Sequence, residues 1–321
     1  MDRPGSVATL RKAVADFART HLPGEERWCV ALSGGADSLA LAAVAVGERR
    51  TTALIVDHGL QADSARVAET ARRQALDVGC VDAQVLSVDV GSDGGPEAAA
   101  RNARYAALDA ARDGAPVLLA HTLDDQAETV LLGLGRGSGP RSIAGMRAHD
   151  PPWCRPLLGV RRTATHAGCA ELGLTPWHDP HNADARFTRA RLRHEVLPLL
   201  EDVLGGGVAE ALARTAAALR EDTDALDDQA ARALGALLSG GELEVAALVP
   251  LPAAVRRRII RGWLLDGGAS GLTDKQLRAV DALVTTWRGQ GGVAVASPMR
   301  DWRLFAGRRD GRLVLTREPV A

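Results

Sequence analysis

Aromatic residues are scarce. Six Trp, three Phe and one Tyr make up 3% of the chain, so Ala, Leu and Val must fill most of any core. Lysine is nearly missing: only Lys12 and Lys275 occur, and arginine carries the rest of the positive charge. Neither sign of charge is in excess, with 39 basic against 40 acidic residues and a net charge of −1. That excludes a chain that is basic throughout, while leaving room for a local basic surface. The four cysteines, Cys29, Cys80, Cys154 and Cys169, form no CxxC pair. Neither a zinc site nor a disulfide framework is indicated, and a reducing, cytoplasmic setting is expected. No run of eighteen uninterrupted apolar residues occurs, so no membrane span is expected. The opening MDRPGSVATLRKAV has no apolar stretch behind a basic start, so no secretory leader is expected either.

What the chain does have is hydrophobic bulk, 46% of 321 residues, enough for one large domain or two ordinary ones. Its first half alternates short apolar runs with helical patterns. Strands are expected at Trp28–Leu32, Thr52–Val56, Ala83–Val90 and Pro116–Ala120, and helices at Asp37–Val46, Gln61–Val78, Pro96–Arg112 and Asp124–Leu134. This order points to βαβ units, a parallel sheet and an α/β fold, whose ligands bind at the carboxyl ends of the strands. Three polar clusters fall at such ends: Ser33–Ser38, Asp57-His58 and His121–Asp125. A break at Gly205-Gly206-Gly207 suggests a boundary, giving domains at 1–204 and 205–321. Beyond it, Val208–Leu238, Pro252–Leu265 and Thr273–Arg288 read as helices, and the alternating tail as a small β-hairpin.

The first cluster is the run Ser33-Gly34-Gly35-Ala36-Asp37-Ser38, between a strand and a helix. Glycine lets backbone approach a ligand closely, and free N–H groups at a helix start attract an anion. The GK[ST] ending of a Walker loop is missing, and so are the flanking glycines of a nucleophile elbow. Asp37 would repel a phosphate unless a cation such as Mg²⁺ lay between them. The plain alternative is a structural turn in which Asp37 or Ser33 caps the helix. The run resembles the pyrophosphate loop of the N-type ATP pyrophosphatases, enzymes that adenylate a carbonyl oxygen and release pyrophosphate. That resemblance implies a PP-loop, Rossmann-like domain with Ser33, Gly34, Gly35, Ala36, Asp37 and Ser38 on ATP and Asp37 near Mg²⁺.

Further along, Arg101 and Arg104 share a helix face in RNARYAAL, suited to phosphate or RNA backbone or to plain solvation. Asp125 and Glu128, in HTLDDQAETVLLGLGRGSGPRSIAGM, share another face. They suit a metal or an ammonium group, or simply the helix dipole. Seven arginines against three acidic residues lie between Arg155 and Arg193, a local footprint for nucleic-acid phosphates or a salt-bridged surface. Together these segments resemble the tRNA(Ile)-lysidine synthetases over roughly Cys29–Glu201. The matching stretches are the RxxRYxxL pattern, DDQAET with its RGSG loop, and WHDPHNADARFTRARLRHEVLPLL. Thr122 stands where the family has histidine, Ser142-Ile143 where it has Gly-Leu, His181 where it has serine, and Ala190 where it has asparagine.

The resemblance implies ligation of free L-lysine to C2 of the wobble cytidine of a tRNA(Ile) with a CAU anticodon, through an adenylated tRNA. It implies catalytic roles for Asp37, Arg104, His121, Asp125 and Glu128, with Asp124 a further candidate. Lysine would meet Asp125 and Glu128, and Mg²⁺ would meet Asp37 and Asp125. The tRNA would meet Arg101, Arg136, Arg189, Arg191 and Arg193, and the mainly helical second domain would help select it. A tRNA thiolase of the same superfamily and a non-catalytic tRNA-binding protein stay open as alternatives, and a second copy of the chain stays open as a partner.

Overall fold

A computed structural model describes residues 5–59, 63–91, 95–137, 139–179, 184, 186–298 and 301–320. Gln61 of an expected helix, Ser138 of the glycine-rich loop, and Pro180, His181 and Asn182 of the third motif lie outside the described residues. The chain divides into two compact units, one of residues 1–135 and 145–215, the other of residues 136–144 and 216–321.

In the first unit the elements run α1 (Ser6–His21), β1 (Arg27–Ala31), α2 (Ala36–Ala45), β2 (Arg50–Asp57), α3 (Ser64–Asp77), β3 (Asp82–Ser87), α4 (Pro96–Ala111), β4 (Val117–Leu118) and α5 (Leu123–Arg136). A short α6 (Pro140–Ile143) belongs to the second unit. β5 (His149–Asp150), β6 (Trp153–Cys154), α7 (Arg162–Glu171), α8 (Thr188–Arg191) and α9 (Leu197–Val203) follow, and α10 (Val208–Leu237) begins in the first unit. The sheet has strand order β3-β2-β1-β4-β6-β5, all parallel except the β5–β6 pair. Trp28 aligns with Thr51 on one side of β1, and Cys29 with Val117 on the other. The chain therefore winds outward from β1 to β3, then returns to the far side of β1 at β4. The carboxyl ends of β1 and β4 flank this reversal, where an open parallel sheet leaves a crevice.

Buried Val30, Leu32, Leu39, Leu41 and Leu118 make the core beneath that crevice. Trp28, a large ring of this core, donates from Nε1 to Thr51 Oγ1 at 2.8 Å, which satisfies its side chain's only polar atom. α1 has no counterpart in the sequence reading. Its Leu10 side chain lies where a Cβ on Gly168 of α7 would sit, 2.7 Å away, so Gly168 lets the two helices close. Glu171 receives the Ser6 and Val7 amides at 2.8 and 3.0 Å and so caps α1 from another element.

The second unit holds residues 216–237 of α10, β7 (Leu238–Ser239), β8 (Glu242–Glu244), α11 (Val245–Leu248), α12 (Ala253–Asp266), α13 (Asp274–Thr285), β9 (Val293–Val295), β10 (Trp302–Arg309) and β11 (Arg312–Pro319). The expected hairpin is β10–β11, but it sits inside a five-stranded antiparallel sheet of order β7-β8-β11-β10-β9. The short strands β7 and β8 carry too few residues to show a period of two in sequence. Ile259, Ile260, Trp263, Val280, Leu283 and Leu313 form the core between α12, α13 and this sheet. Thr273 and Gln276 exchange hydrogen bonds in a full capping box at the start of α13. No helix among the described residues is long and apolar enough to cross a membrane.

Candidate functional site

Leu32 still pairs with β2, its amide donating to Leu54 O at 2.9 Å, and then the chain turns. Gly34 adopts φ +80°, a conformation only glycine takes without strain, with Ala71 Cβ 3.4 Å from where its own Cβ would be. Ser38 Oγ receives the Ser33 amide at 3.1 Å and donates to Gly35 O at 3.1 Å, which holds the loop closed on itself. Gly34 O is tied in turn to the Trp177 amide at 2.9 Å. The first i→i−4 bond of α2 is Leu39 N to Gly35 O. Ala36, Asp37 and Ser38 thus start the helix with amides that have no carbonyl behind them inside it. Neither Ser33 nor Asp37 caps these amides: the cap position is Gly35, with no side-chain cap bond.

Asp37 instead faces α7. It accepts hydrogen bonds from Thr165 Oγ1 and, at 3.3 Å, from Arg162 Nε. Burial raises its pKa, opposed by Thr165 and Arg162. Across the reversal, Asp125 Oδ2 receives the Thr122 amide at 2.8 Å and the Thr122 hydroxyl at 2.7 Å. The threonine that stands in place of a family histidine is therefore a buried anchor for the catalytic candidate. Asp125 Oδ1 receives Arg162 Nη2 at 2.6 Å and Arg193 Nη2 at 3.4 Å. Burial alone would raise the Asp125 pKa, but Arg162 and the two Thr122 donors outweigh it and hold the group low. Glu128 is fully buried and accepts from Arg162 Nη1 at 3.3 Å and from Arg193 Nε and Nη2 at 2.8 and 3.2 Å.

The structure thus brings Asp37, Asp125 and Glu128 to a single guanidinium, Arg162. The sequence reading counted Arg162 among seven arginines and singled it out no further. One signal was there: Arg161-Arg162 opens a helix, where the dipole disfavours cations, so acidic partners were required. Asp124 supplies part of that, accepting the Arg162 amide at 2.7 Å and pairing with Arg161 at 3.2 Å. Asp124 is therefore the cap of α7, placed one residue from the pocket.

His121, three residues beyond β4, is partly buried, and its Nδ1 is buried without a hydrogen-bond partner. Burial drives its pKa to about 3, helped by Arg155, Arg104 and Arg101 and opposed by Asp125. The imidazole is neutral at ordinary pH. Arg104 is pressed over Tyr105 at 5.4 Å with its Nε also unpartnered, and burial lowers its pKa. His58, after β2, has a second buried and unpartnered Nδ1, and Arg104 adds to burial in lowering its pKa. Two neutral imidazoles and a partly buried cation, each with unmet hydrogen-bonding capacity, suit an anionic or carbonyl-bearing ligand.

The arginines expected on tRNA separate. Arg101 stacks on Tyr105 at 4.9 Å on an exposed helix face. Arg189 donates to Thr129 Oγ1 at 3.4 Å. Arg191 is exposed and pairs with Glu195 at 2.9 Å. Arg136 ends α5 and groups with the second unit. Arg193, grouped with them in the sequence reading, is placed against Glu128 and Asp125 instead. The cause is local. Pro198 cannot continue the amide ladder, residues 192–196 widen into a π turn, and Leu197 N bonds back to Leu192 O. A cavity of about 460 Å³ lies at the opposite, amino edge of the sheet, between His21, Glu25, Arg112 and His149. None of the motif residues line it.

Residues 7–200 match the PP-loop domain family, and residues 243–314 match the TilS substrate binding domain family. The chain is 72% identical to the tRNA(Ile)-lysidine synthase of Mycobacterium bovis over the full length of both chains. It is 68% identical to that of Mycobacterium leprae, again over the full length of both. Among solved structures, the U34-tRNA thiolase NcsA from Methanococcus maripaludis, described with its [4Fe-4S] cluster, superimposes with a TM-score of 0.55 at 16% identity. That match covers 67% of this chain and 80% of the thiolase, and it is a likeness of fold.

Proposed function

The chain belongs to the tRNA(Ile)-lysidine synthase family, and from that premise we propose how its own residues join lysine to a tRNA base at the expense of ATP. It is a tRNA-modifying ligase that forms a carbon–nitrogen bond and carries an ATP-binding PP-loop domain. Most thiolases of this superfamily handle sulfur with paired or clustered cysteines. All four cysteines here are buried, and no metal-holding group of histidine, cysteine and carboxylate side chains occurs among the described residues.

In this reading the Ser33–Ser38 loop receives the triphosphate, and the amides that begin α2 donate to its oxygens. Asp37 and Asp125 offer hard carboxylate oxygens, the donor type that suits Mg²⁺ shared with phosphates. Partners engage both oxygens of each, and Asp37 is the more accessible, its side chain 27% exposed against 12% for Asp125. Bound there, Mg²⁺ would neutralise charge on the departing pyrophosphate. The cytidine C2 oxygen attacks the α-phosphorus, and the O–P bond to pyrophosphate breaks. Arg104 and neutral His121 lie at the strand end where the base and its phosphoryl group must meet. Holding the partners together supplies much of the rate.

Asp125 and Glu128 then take free L-lysine through an ammonium group. The ε-amine attacks C2 in its neutral form, AMP leaves with the bonding pair, and the surplus amine proton passes to the site. Arg101, Arg189 and Arg191 supply tRNA phosphate contacts, as does Arg136. Residues 205–321 act as the tRNA-selecting domain. The target base must unstack to reach the pocket, as single-stranded loop bases can.

One observation carries this reading: carboxylates from two distant motifs meet at the edge of the pyrophosphate loop. The test incubates purified protein with a CAU-anticodon tRNA(Ile) transcript, ATP, Mg²⁺ and isotopically labelled lysine, with mass analysis of the nucleosides. Lysidine forms, and Asp37→Asn lowers tRNA-dependent pyrophosphate release by about 100-fold or more. Unchanged release in that variant, or sulfur incorporation without lysine, overturns the assignment.

A further inference from the structure

The ion-pair arrangement under the loop is uneven. Arg162 spends each guanidinium nitrogen on a different carboxylate: Nε on Asp37, Nη2 on Asp125 and Nη1 on Glu128. Its side chain is 15% exposed. Those are the same carboxylates that the proposed reading assigns to Mg²⁺ and to the lysine ammonium. A cation is thus already seated where two cationic ligands are to go. Arg193 cannot substitute for it, because its nitrogens reach only Glu128 and Asp125. Removing Arg162 would leave three carboxylates against one guanidinium, a costly state for buried charge. Arg162 must therefore stay until other positive charge replaces it or a stronger anion draws it away.

That anion is the triphosphate. Asp37 belongs to the loop that receives it, and Arg162 Nε lies 3.3 Å from Asp37 Oδ2. A guanidinium forks readily onto phosphate oxygens, and α7 holds the base of the side chain through Asp124.

We propose that Arg162 is a built-in placeholder cation, a positioning residue that occupies the carboxylate pocket until bound nucleotide takes its guanidinium, so that lysine enters only after ATP. Two consequences follow. Lysine binds weakly to the nucleotide-free chain, because its ammonium competes with a tethered guanidinium. Nucleotide binding takes one of the two guanidinium partners from Asp125 and Glu128, leaving Arg193, and raises lysine affinity, which makes the two ligands positively coupled. The inference rests on the proposed lysine role of Asp125 and Glu128.

The experiment is calorimetric titration of L-lysine into the full chain without tRNA, so that no turnover occurs. It is run with and without Mg²⁺ and the non-cleavable α,β-methylene analogue of ATP. The wild type binds lysine at least about tenfold more tightly with the analogue present. Arg162→Gln binds lysine with the same affinity in both conditions, and Arg162→Lys, which keeps a charge but cannot fork, shows an intermediate ratio. Equal lysine affinity in the wild type with and without nucleotide overturns the proposal without requiring any variant to fold. A full tenfold ratio retained by Arg162→Gln or by Arg162→Lys overturns it as well. Asp125→Asn and Glu128→Gln separate the two layers. If they still bind lysine like the wild type, the lysine site itself is misassigned. If they lose lysine in both conditions, the site stands, and the Arg162 ratios decide the placeholder.

Discussion

Glu128 offers the sharpest perturbation of the site. Glu128→Gln keeps the shape of the side chain and removes the charge that two guanidinium groups share. Arg193 loses the partner of its Nε and Nη2 contacts at 2.8 and 3.2 Å, and Arg162 loses its Nη1 contact at 3.3 Å. Breaking one side of a buried pair costs about 3–5 kcal/mol. The low end, about 3 kcal/mol, applies here, because Arg193 keeps 26% of its side chain exposed and water can reach it. At roughly 2–4 °C per kcal/mol for a unit of this size, the melting temperature falls by about 6–12 °C. The exposed Arg191–Glu195 pair is the control. Its side chains are 59% and 48% exposed, so solvent screens the pair and Arg191→Ala moves the melting temperature by less than about 2 °C. Thermal unfolding followed by circular dichroism compares them. A Glu128→Gln melting temperature within 2 °C or so of wild type would falsify the claim that this carboxylate balances buried cations. Well below that transition, the same variant keeps tRNA-dependent pyrophosphate release while lysine incorporation is lost.

Two more predictions concern other residues. His121 has a folded pKa near 3, while an unfolded histidine titrates near 6.5. Between those values the unfolded chain binds the extra proton. Stability therefore rises with pH across that window and is lost as pH falls through it, by at most about 1.4 kcal/mol per pH unit. His121→Gln flattens this dependence, and urea midpoints measured from pH 3.5 to 6.5 or so detect it; parallel profiles for the two proteins refute the burial argument. Gly145 has φ +64°, and a Cβ there would lie 2.6 Å from Gln126 Oε1. That amide is itself fixed by Met146 N and O at 2.7 and 3.0 Å. Gly145→Ala therefore destabilises the first unit by at least about 1–2 kcal/mol, read as a lower urea midpoint, and an unchanged midpoint contradicts it.

The pyrophosphate loop was legible because every requirement it meets is local: a strand, a glycine free to turn left, and a helix start in consecutive residues. The parallel sheet was legible for the same reason, as alternating short patterns. Asp125 and Glu128 were legible as a pair because three residues on a helix share a face. Arg162 was not, since its meaning lies in carboxylates 125 and 37 residues away in sequence, beyond any periodicity. α1 was missed although Leu10, Val14 and Phe17 stand at helical spacing in sequence; only the cap that Glu171 of α7 gives it lies beyond local reading. Arg193 was expected on tRNA with Arg189 and Arg191, its near neighbours in sequence, and the widened helical turn of residues 192–196 sets it against Glu128 and Asp125 instead.

The sequence by itself determined the strand–helix alternation from Trp28 to Leu134 and the chemistry available at each strand end, because both depend on neighbours within one or two turns. Tertiary structure alone decided which charges meet. Strand order brings the ends of β1 and β4 together, and α7 then lays one guanidinium across three acids. Burial of unlike charges is a property of the packed crevice, and no single segment carries it.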